Sequence, residues 1–485
     1  MWTLFLTYWP HFLAVASVSV AAIAAVHAAM TKDEVRSAIG WVGVILLSPI
    51  LGALIYAVVG INRMRRSSIA ALRLATAHEA LEHRCFDVTD EFVAERFGRR
   101  FAALKMLGDR ITHRKLTAAN AVDMLRTGDE AYASMVEAIA GARCGIVLET
   151  YIFDRDPIGL RVAAALVEAV KRGVEVRVLI DAVGARYSVP SIVRWLREGG
   201  VTTAVFNGSI IMGLRLPYAN LRTHRKILVV DGATAFVGGM NIRQGFTSEF
   251  AGSNCAYDTH FRVKGPVVAD IFSIAAEDWH FTTGERLHGD AWRIEAPSGE
   301  PESSMLVRAV CSGPDASLET NQKMLMGAFS VARKSIRIMS PYFLPDRELI
   351  VALTTAARRG VDIDIVVPSN NNLVLVDRAM TAQFDQVLRS YCRVWRANGS
   401  FDHSKLLSVD STWAFIGSSN LDPRSLRLNF EIDLAVLDPD FAGEIDARIG
   451  SVIESASAVT LAGLRARPFL GRLIDRILWL GSPYL

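Results

Sequence analysis

Two histidines, each two residues ahead of a lysine, are the side chains best placed in this sequence to do chemistry. His224 and Lys226 open the stretch HRKILVVDGATAFVGGMN, and His403 and Lys405 open HSKLLSVDSTWAFIGSSN. Both copies fit H-x-K-x4-D-x6-G-x2-N. With residue frequencies of about one in 25, a random window fits that pattern on the order of 10⁻⁷ of the time, so two copies in one chain are not accidental. A neutral imidazole can act as a nucleophile and, once protonated, as an acid. Two imidazoles facing across a phosphodiester divide the work: one attacks phosphorus and the other protonates the departing alcohol. The ammonium groups of Lys226 and Lys405 can then neutralise the phosphoryl oxygens without a metal, helped by Asn241, Asn420 and the backbone and side chains around Gly239 and Ser418. A nucleophilic histidine needs its second ring nitrogen fixed by an acceptor. Asp258 in AYDTHF and Glu431 in LNFEID, downstream of the two motifs, are the candidates. Asp231 and Asp410 complete the motifs and count with the catalytic set, although their position before Gly232 and Ser411 points to holding a tight turn. His260 and His280 are assigned to packing or hydrogen bonding. No metal-ligand cluster and no Gly-rich nucleotide loop occurs, so no cofactor is expected.

The elements that must position these residues are themselves duplicated. Cys144–Phe153 reads as a buried strand, Leu160–Arg172 as a helix ended by Gly173, and Val174–Asp181 as a second strand. The order returns with Ser335–Asp346, the helical Arg347–Arg359, Gly360 and Val361–Pro368. Arg172-Gly173-Val174-Glu175-Val176 aligns with Arg359-Gly360-Val361-Asp362-Ile363. Strand, helix, strand at this spacing predicts a βαβ unit in a parallel sheet. Each half then reaches its own His-x-Lys strand, in which residues two apart share a face at roughly 7 Å spacing. The expectation is a tandem of two similar α/β halves, related by a pseudo-twofold that turns the motifs toward each other.

The N-terminus points to a bilayer. Trp2–Ala29 and Ile39–Ile61 contain no Asp, Glu, Lys or Arg, and each is long enough for a helix to cross a hydrocarbon core of about 30 Å. Joined by TKDEVRS, they predict a two-helix transmembrane hairpin. Arg63, Arg65 and Arg66 follow the second span, so the positive-inside rule puts the rest of the chain in the cytoplasm. Five scattered cysteines without a C-x-x-C pair fit a reducing compartment rather than a disulfide framework. The net charge of +3 is near neutral overall, yet the segment 63–126 is rich in Arg and Lys, as suits anionic headgroups. At the C-terminal end, Phe469, Leu473, Ile477 and Leu480 fall at near-helical spacing beside Arg472 and Arg476, which suits an interfacial helix or one packed on the second half.

These residues carry a resemblance. The paired H-x-K-x4-D motifs resemble those of the phospholipase D superfamily, and LETYIFDRDPIG, DTHFRVKGP, SPYFLPD, IGSSNLDPRSLRLNFE and the terminal LGSPYL resemble its bacterial cardiolipin synthase branch, over nearly the whole chain. The resemblance implies two tandem phospholipase D-like α/β/α domains behind a membrane anchor. It implies a metal-independent transfer of a phosphatidyl group between two phosphatidylglycerol molecules through a phosphohistidine, giving cardiolipin and glycerol. By family analogy His224 is the nucleophile and His403 the acid/base. A phospholipase D or a phosphatidyltransferase using water or an amino alcohol is the alternative. The implied partners are phosphatidylglycerol, other anionic phospholipids and the bilayer, without nucleic acid, at the bacterial inner membrane as a multi-pass protein. Two departures from the family pattern bear on the acceptor: Ala256-Tyr257 stands ahead of Asp258 where Trp-Arg is usual, and Asp402 adds a carboxylate beside His403. The expected organisation is an anchor over 1–66, a helical connector over 67–130, a first half over 131–295, a linker over 296–304 and a second half over 305–485.

Overall fold

The computed structural model describes residues 2–32, 34–60, 86–207, 221–294, 305–315 and 317–482. The basic flank at Arg63, Arg65 and Arg66, the first part of the connector, the linker and the last three residues of the terminal LGSPYL lie outside the described residues. Two compact units result, a small one at the N-terminus and a large one holding both His-x-Lys motifs.

In the small unit one helix, Trp2–Thr31, carries a stretch from Thr7 to Thr31 long and apolar enough to cross a membrane. The second apolar segment is not one continuous span. It divides into the helices Val35–Leu47 and Pro49–Ile55 and a π-helical turn, Tyr56–Gly60. Pro49 has no N–H to continue the helical ladder, and Ser48 leaves helical geometry at φ −142°, ψ 81°. The break is sharp, for a side chain on Gly52 would run into the carbonyl of Val44. The segment nevertheless returns to the first helix, where the Tyr56 hydroxyl lies 2.7 Å from His27 Nδ1.

The large unit is built on strands in two runs of the same order. The first run is Thr117–Leu125, His260–Lys264, Thr234–Gly238, Ile227–Val230, Gly145–Thr150, Glu175–Asp181 and Thr202–Phe206. The second is Met305–Ser312, Asn429–Leu437, Trp413–Gly417, Leu406–Val409, Ser335–Met339, Asp362–Pro368 and Arg393–Ala397, with Ser457–Val459 added at its edge. The βαβ units lie where the sequence places them, and there the strands are parallel. The strand after each His-x-Lys runs antiparallel to its neighbours, so the sheet is mixed. Registers repeat as well: Ile146 faces Val230 in one run and Ile336 faces Val409 in the other.

The runs join through antiparallel pairing of Thr117–Leu125 with Met305–Ser312. This corrects the expectation of helix through residue 130. Thr117–Leu125 is a strand, whose Val122 pairs with Val263, and among the described residues of the connector before it the α-helices are Asp90–Phe97 and Arg99–Thr112. Helices such as Pro157–Lys171 and Arg347–Arg358 bury one face on the sheets, each over its own apolar cluster.

Candidate active site

Each motif sits at a break in its strand. Only Ile227–Val230 and Leu406–Val409 belong to the sheets of their own halves, and the His-x-Lys residues precede them. There the chain changes partner. Arg222–Thr223 pairs in parallel with Asn429 and Phe430 of the second run, and the His224 amide donates to Phe430 O at 2.9 Å. Symmetrically, Asp402 bridges Tyr257 of the first run, and the His403 amide donates to Tyr257 O at 2.7 Å. These backbone ties fix what stands beside each ring, because the residue after Phe430 is Glu431 and the residue after Tyr257 is Asp258. His224 Nδ1 lies 3.0 Å from Glu431 Oε2, and His403 Nδ1 lies 2.8 Å from Asp258 Oδ2. Each acceptor therefore comes from the other half, not from the half of the histidine it holds. The middle residue of each motif crosses too: Arg225 Nε donates to Glu431 O at 3.0 Å, and Ser404 Oγ meets Thr259 Oγ1 at 3.0 Å.

Both histidines line one cleft of about 860 Å³, together with Asn241, Asn420, Tyr151 and Tyr342. The carboxylates and the lysines below are buried. Burial lowers the basicity of His224 and, with the charges of Lys405 and Lys226, drives His403 well below the ordinary imidazole range, so both rings are neutral at pH 7. A carboxylate accepting Nδ1–H leaves the Nε2 lone pair as the nucleophile. Lys226 Nζ donates to His224 O at 2.6 Å, and Lys405 Nζ stands 2.7 Å from His403 Nδ1 and 3.1 Å from its Nε2. Burial brings Lys226 down to about 7 and Lys405 down to about 8. An anion between them would restore both charges.

The two acids differ. Burial pushes Asp258 up to about 6, and its Oδ1 has no hydrogen-bond partner. Burial also opposes the charge on Glu431, but His224, Lys226 and the Ser418 hydroxyl, 2.6 Å from Oε2, hold it below its ordinary value. Gly239 occupies the place that Ser418 has in the other motif. A Cβ there would lie 2.8 Å from Asp258 Oδ1 and 2.9 Å from Lys405 Nζ. The structure thus turns two expected phosphate-binding positions into supports for the acids: Ser418 by its hydroxyl, Gly239 by the space it leaves. Asn241 accepts from the Ile152 amide at 3.1 Å, so its amide nitrogen remains to donate, and Asn420 Oδ1 is buried without a partner.

Asp231 and Asp410 are a correction to the catalytic set. Asp231 accepts from the amides of Arg143, Cys144 and Gly145, and Asp410 from those of Arg333, Lys334 and Ser335 and from Arg100. Each has positive φ, as does the residue after it, which is the turn a two-residue hairpin requires. Neither lines the cleft. Asp402 is likewise engaged, taking the Ser404 amide at 3.0 Å and pairing with Arg448, and its pull on His403 is outweighed. His280 faces Glu285 O at 3.3 Å, and His260 is buried, with burial lowering it to about 4.

Two aromatic residues escaped the sequence reading. The Tyr151 ring lies 5.2 Å from His224 and 5.5 Å from Lys226 Nζ, and the Tyr342 ring stands edge-on to His403 at 6.2 Å. Their signal was a tyrosine just past a buried strand in LETYIF and SPYFLP, but they do not occupy equivalent positions in the two halves. Among the described residues, no group of three or more His, Cys, Asp or Glu is arranged to hold a metal ion.

The family described as cardiolipin synthase, PLD-like domain, matches residues 135–270 and 325–453, and a phospholipase D-nuclease N-terminal family matches 19–60. The chain is 32% identical to a cardiolipin synthase of Alkalihalophilus pseudofirmus, over 92% of this chain and 88% of that one. It is 34% identical to cardiolipin synthase A of Pseudomonas aeruginosa, over 96% and 94%. A solved phosphatidylserine synthase of Haemophilus influenzae shares the fold at a TM-score of 0.59 and 17% identity, covering 79% of this chain and all of that one. The paired PLD-like segments and the near full-length alignment at 32% and 34% identity agree with the site: the chain belongs to the bacterial cardiolipin synthase family of the phospholipase D superfamily.

Proposed function

We propose that the protein is a membrane-anchored cardiolipin synthase that joins two phosphatidylglycerol molecules into cardiolipin and glycerol. The observation that carries this reading is the cleft in which two neutral imidazoles, each oriented by a carboxylate of the opposite half, stand beside two buried lysines. His224 Nε2 attacks phosphorus of the first lipid, the bond from phosphorus to the glycerol oxygen breaks, and His403 gives its proton to that oxygen. The anionic phosphodiester favours the protonated form of His403 that this step uses. His403 then takes the proton from a glycerol hydroxyl of the second lipid as that oxygen attacks phosphorus and the bond to His224 breaks. Lys226, Lys405, Asn241 and Asn420 stabilise the oxygens of both transition states. Ionised Glu431 beside His224 supports this order, because it favours the Nδ1–H tautomer and the cationic phosphohistidine.

The halves are read as phospholipase D-like domains about a pseudo-twofold, with boundaries near 131–295 and 305–485, supported by the matched strand orders. The first helix and the broken second segment are read as a two-pass anchor in the inner membrane, with the catalytic unit cytoplasmic; the N-terminal family match and the basic flank support this. Purified enzyme given phosphatidylglycerol alone should release glycerol and form cardiolipin, detected by mass spectrometry, and His403→Ala should abolish both. Release of phosphatidic acid instead would make it a phospholipase. Wild-type turnover by His403→Ala would overturn the two-histidine mechanism.

A further inference from the structure

The helix Phe469–Leu480 has two apolar faces, and only one of them is covered. At 100° per residue, Ile474, Asp475, Leu478 and Trp479 fall on one side. That side packs on the helix Val374–Leu388, with Leu478 and Trp479 against the core of the second half. Asp475 is buried there between Arg378 Nε at 2.8 Å and Arg467 Nη2 at 2.6 Å, which locks the helix in rotation. Phe469, Leu470, Leu473, Ile477 and Leu480 then share an arc of about 100° on the other side. They are between 41% and 72% exposed, far more than an ordinary surface leaves of five adjacent large side chains. Arg472 and Arg476 border the arc, and Arg465 precedes it. The start of the supporting helix adds Leu373, Val374 and Leu375, also exposed.

We infer that this face, with Leu373–Leu375, is seated in an anionic lipid bilayer and brings the mouth of the cleft to the membrane surface. Three observations choose this occupant. The apolar arc with an arginine border is the composition of an interfacial helix that lies among acyl chains with its cations at the headgroups. The surface meets the cleft at one end, where Leu373 and Ser482 both line it. A phosphodiester reaching His224 and His403 from a bilayer needs such an approach, because a diacyl lipid leaving the membrane exposes its chains to water. The inference rests on the phosphatidyl-transfer reading for its substrate, and the N-terminal segments keep a variant in the membrane while the catalytic unit loses this contact.

The test uses the full chain and two forms of phosphatidylglycerol: vesicles containing it, and a short-chain form dissolved below its critical micelle concentration. Leu473→Ser/Ile477→Ser and Arg472→Gln/Arg476→Gln should each cut turnover on vesicles about tenfold, chiefly through KM, and leave turnover of the dissolved lipid within about twofold. Amides of 469–480 should exchange more slowly with deuterium in anionic nanodiscs than in detergent, and the variants should lose that protection. Equal loss on both substrates would make the helix a fold element only, and unchanged vesicle turnover would remove the proposal. A wild-type dimer that the variants convert to monomer, with vesicle turnover intact, would mean that a second copy covers the face. If the wild type transfers no phosphatidyl group from either form, the functional reading fails, and the exchange experiment still decides the membrane contact.

Discussion

His403 Nδ1 and Asp258 Oδ2 stand 2.8 Å apart although 145 residues separate them, and His224 with Glu431 repeats the relationship over 207 residues at 3.0 Å. Each histidine takes its carboxylate from the other half, so neither half holds a complete site. Replacing the acid by an amide removes the anion but keeps the shape. Asp258→Asn and Glu431→Gln should each lower kcat for glycerol release by about 10²–10⁴ with a smaller change in KM, since the wrong tautomer affects the transition state more than binding. Loss confined to KM would show that the acids serve binding instead.

The pH dependence has two limbs of opposite origin. Burial places His224 below 6.5, so its Nε2 lone pair is kept until the pH falls below that value, and the acid limb of kcat/KM, set by protonation of this nucleophile, lies there. The lysines sit at about 7 and about 8, so rising pH strips the charges that hold the phosphate, and kcat/KM should fall through that range. In the complex the phosphate raises both lysines, so the alkaline limb of kcat should lie higher. A pH–rate series at saturating and limiting lipid checks the displacement between the two profiles.

Asp410 should matter for stability and not for chemistry. It accepts three backbone amides and pairs with Arg100, and these hold it ionised against burial. Asp410→Ala leaves those donors unpaired and should cost about 2–4 kcal/mol in thermal or denaturant unfolding. Turnover per folded molecule, measured below the new melting temperature, should stay near that of the wild type.

The unlike supports of the two acids give a paired prediction. Gly239→Ala inserts a methyl group against Asp258 and Lys405 and should reduce kcat about 10–100-fold, as a shift of a few tenths of an ångström misplaces a catalytic group. Ser418→Ala removes one hydrogen bond to Glu431, worth about 1–2 kcal/mol, and should reduce kcat about tenfold while the folded state is retained. Circular dichroism alongside glycerol release separates lost chemistry from lost fold.

By itself the sequence determined what is local. The duplicated motifs, the βαβ units around Gly173 and Gly360, the turns at Asp231 and Asp410 and the apolar first helix were legible because backbone conformation and hydrophobic period are set by near neighbours. The break at Ser48-Pro49 and the strand Thr117–Leu125 were missed. Hydropathy does not register a missing amide hydrogen, and Thr117–Leu125 is a strand only because Met305–Ser312 and His260–Lys264 stand on either side to take its hydrogen bonds. Tertiary structure alone decided which acid meets which histidine. Both carboxylates were named, but assigning them needed the backbone ties of His224 to Phe430 and of His403 to Tyr257. Those ties join chain segments with no common local pattern. They form where each segment, on leaving the sheet of its own half, makes a backbone hydrogen bond with the other.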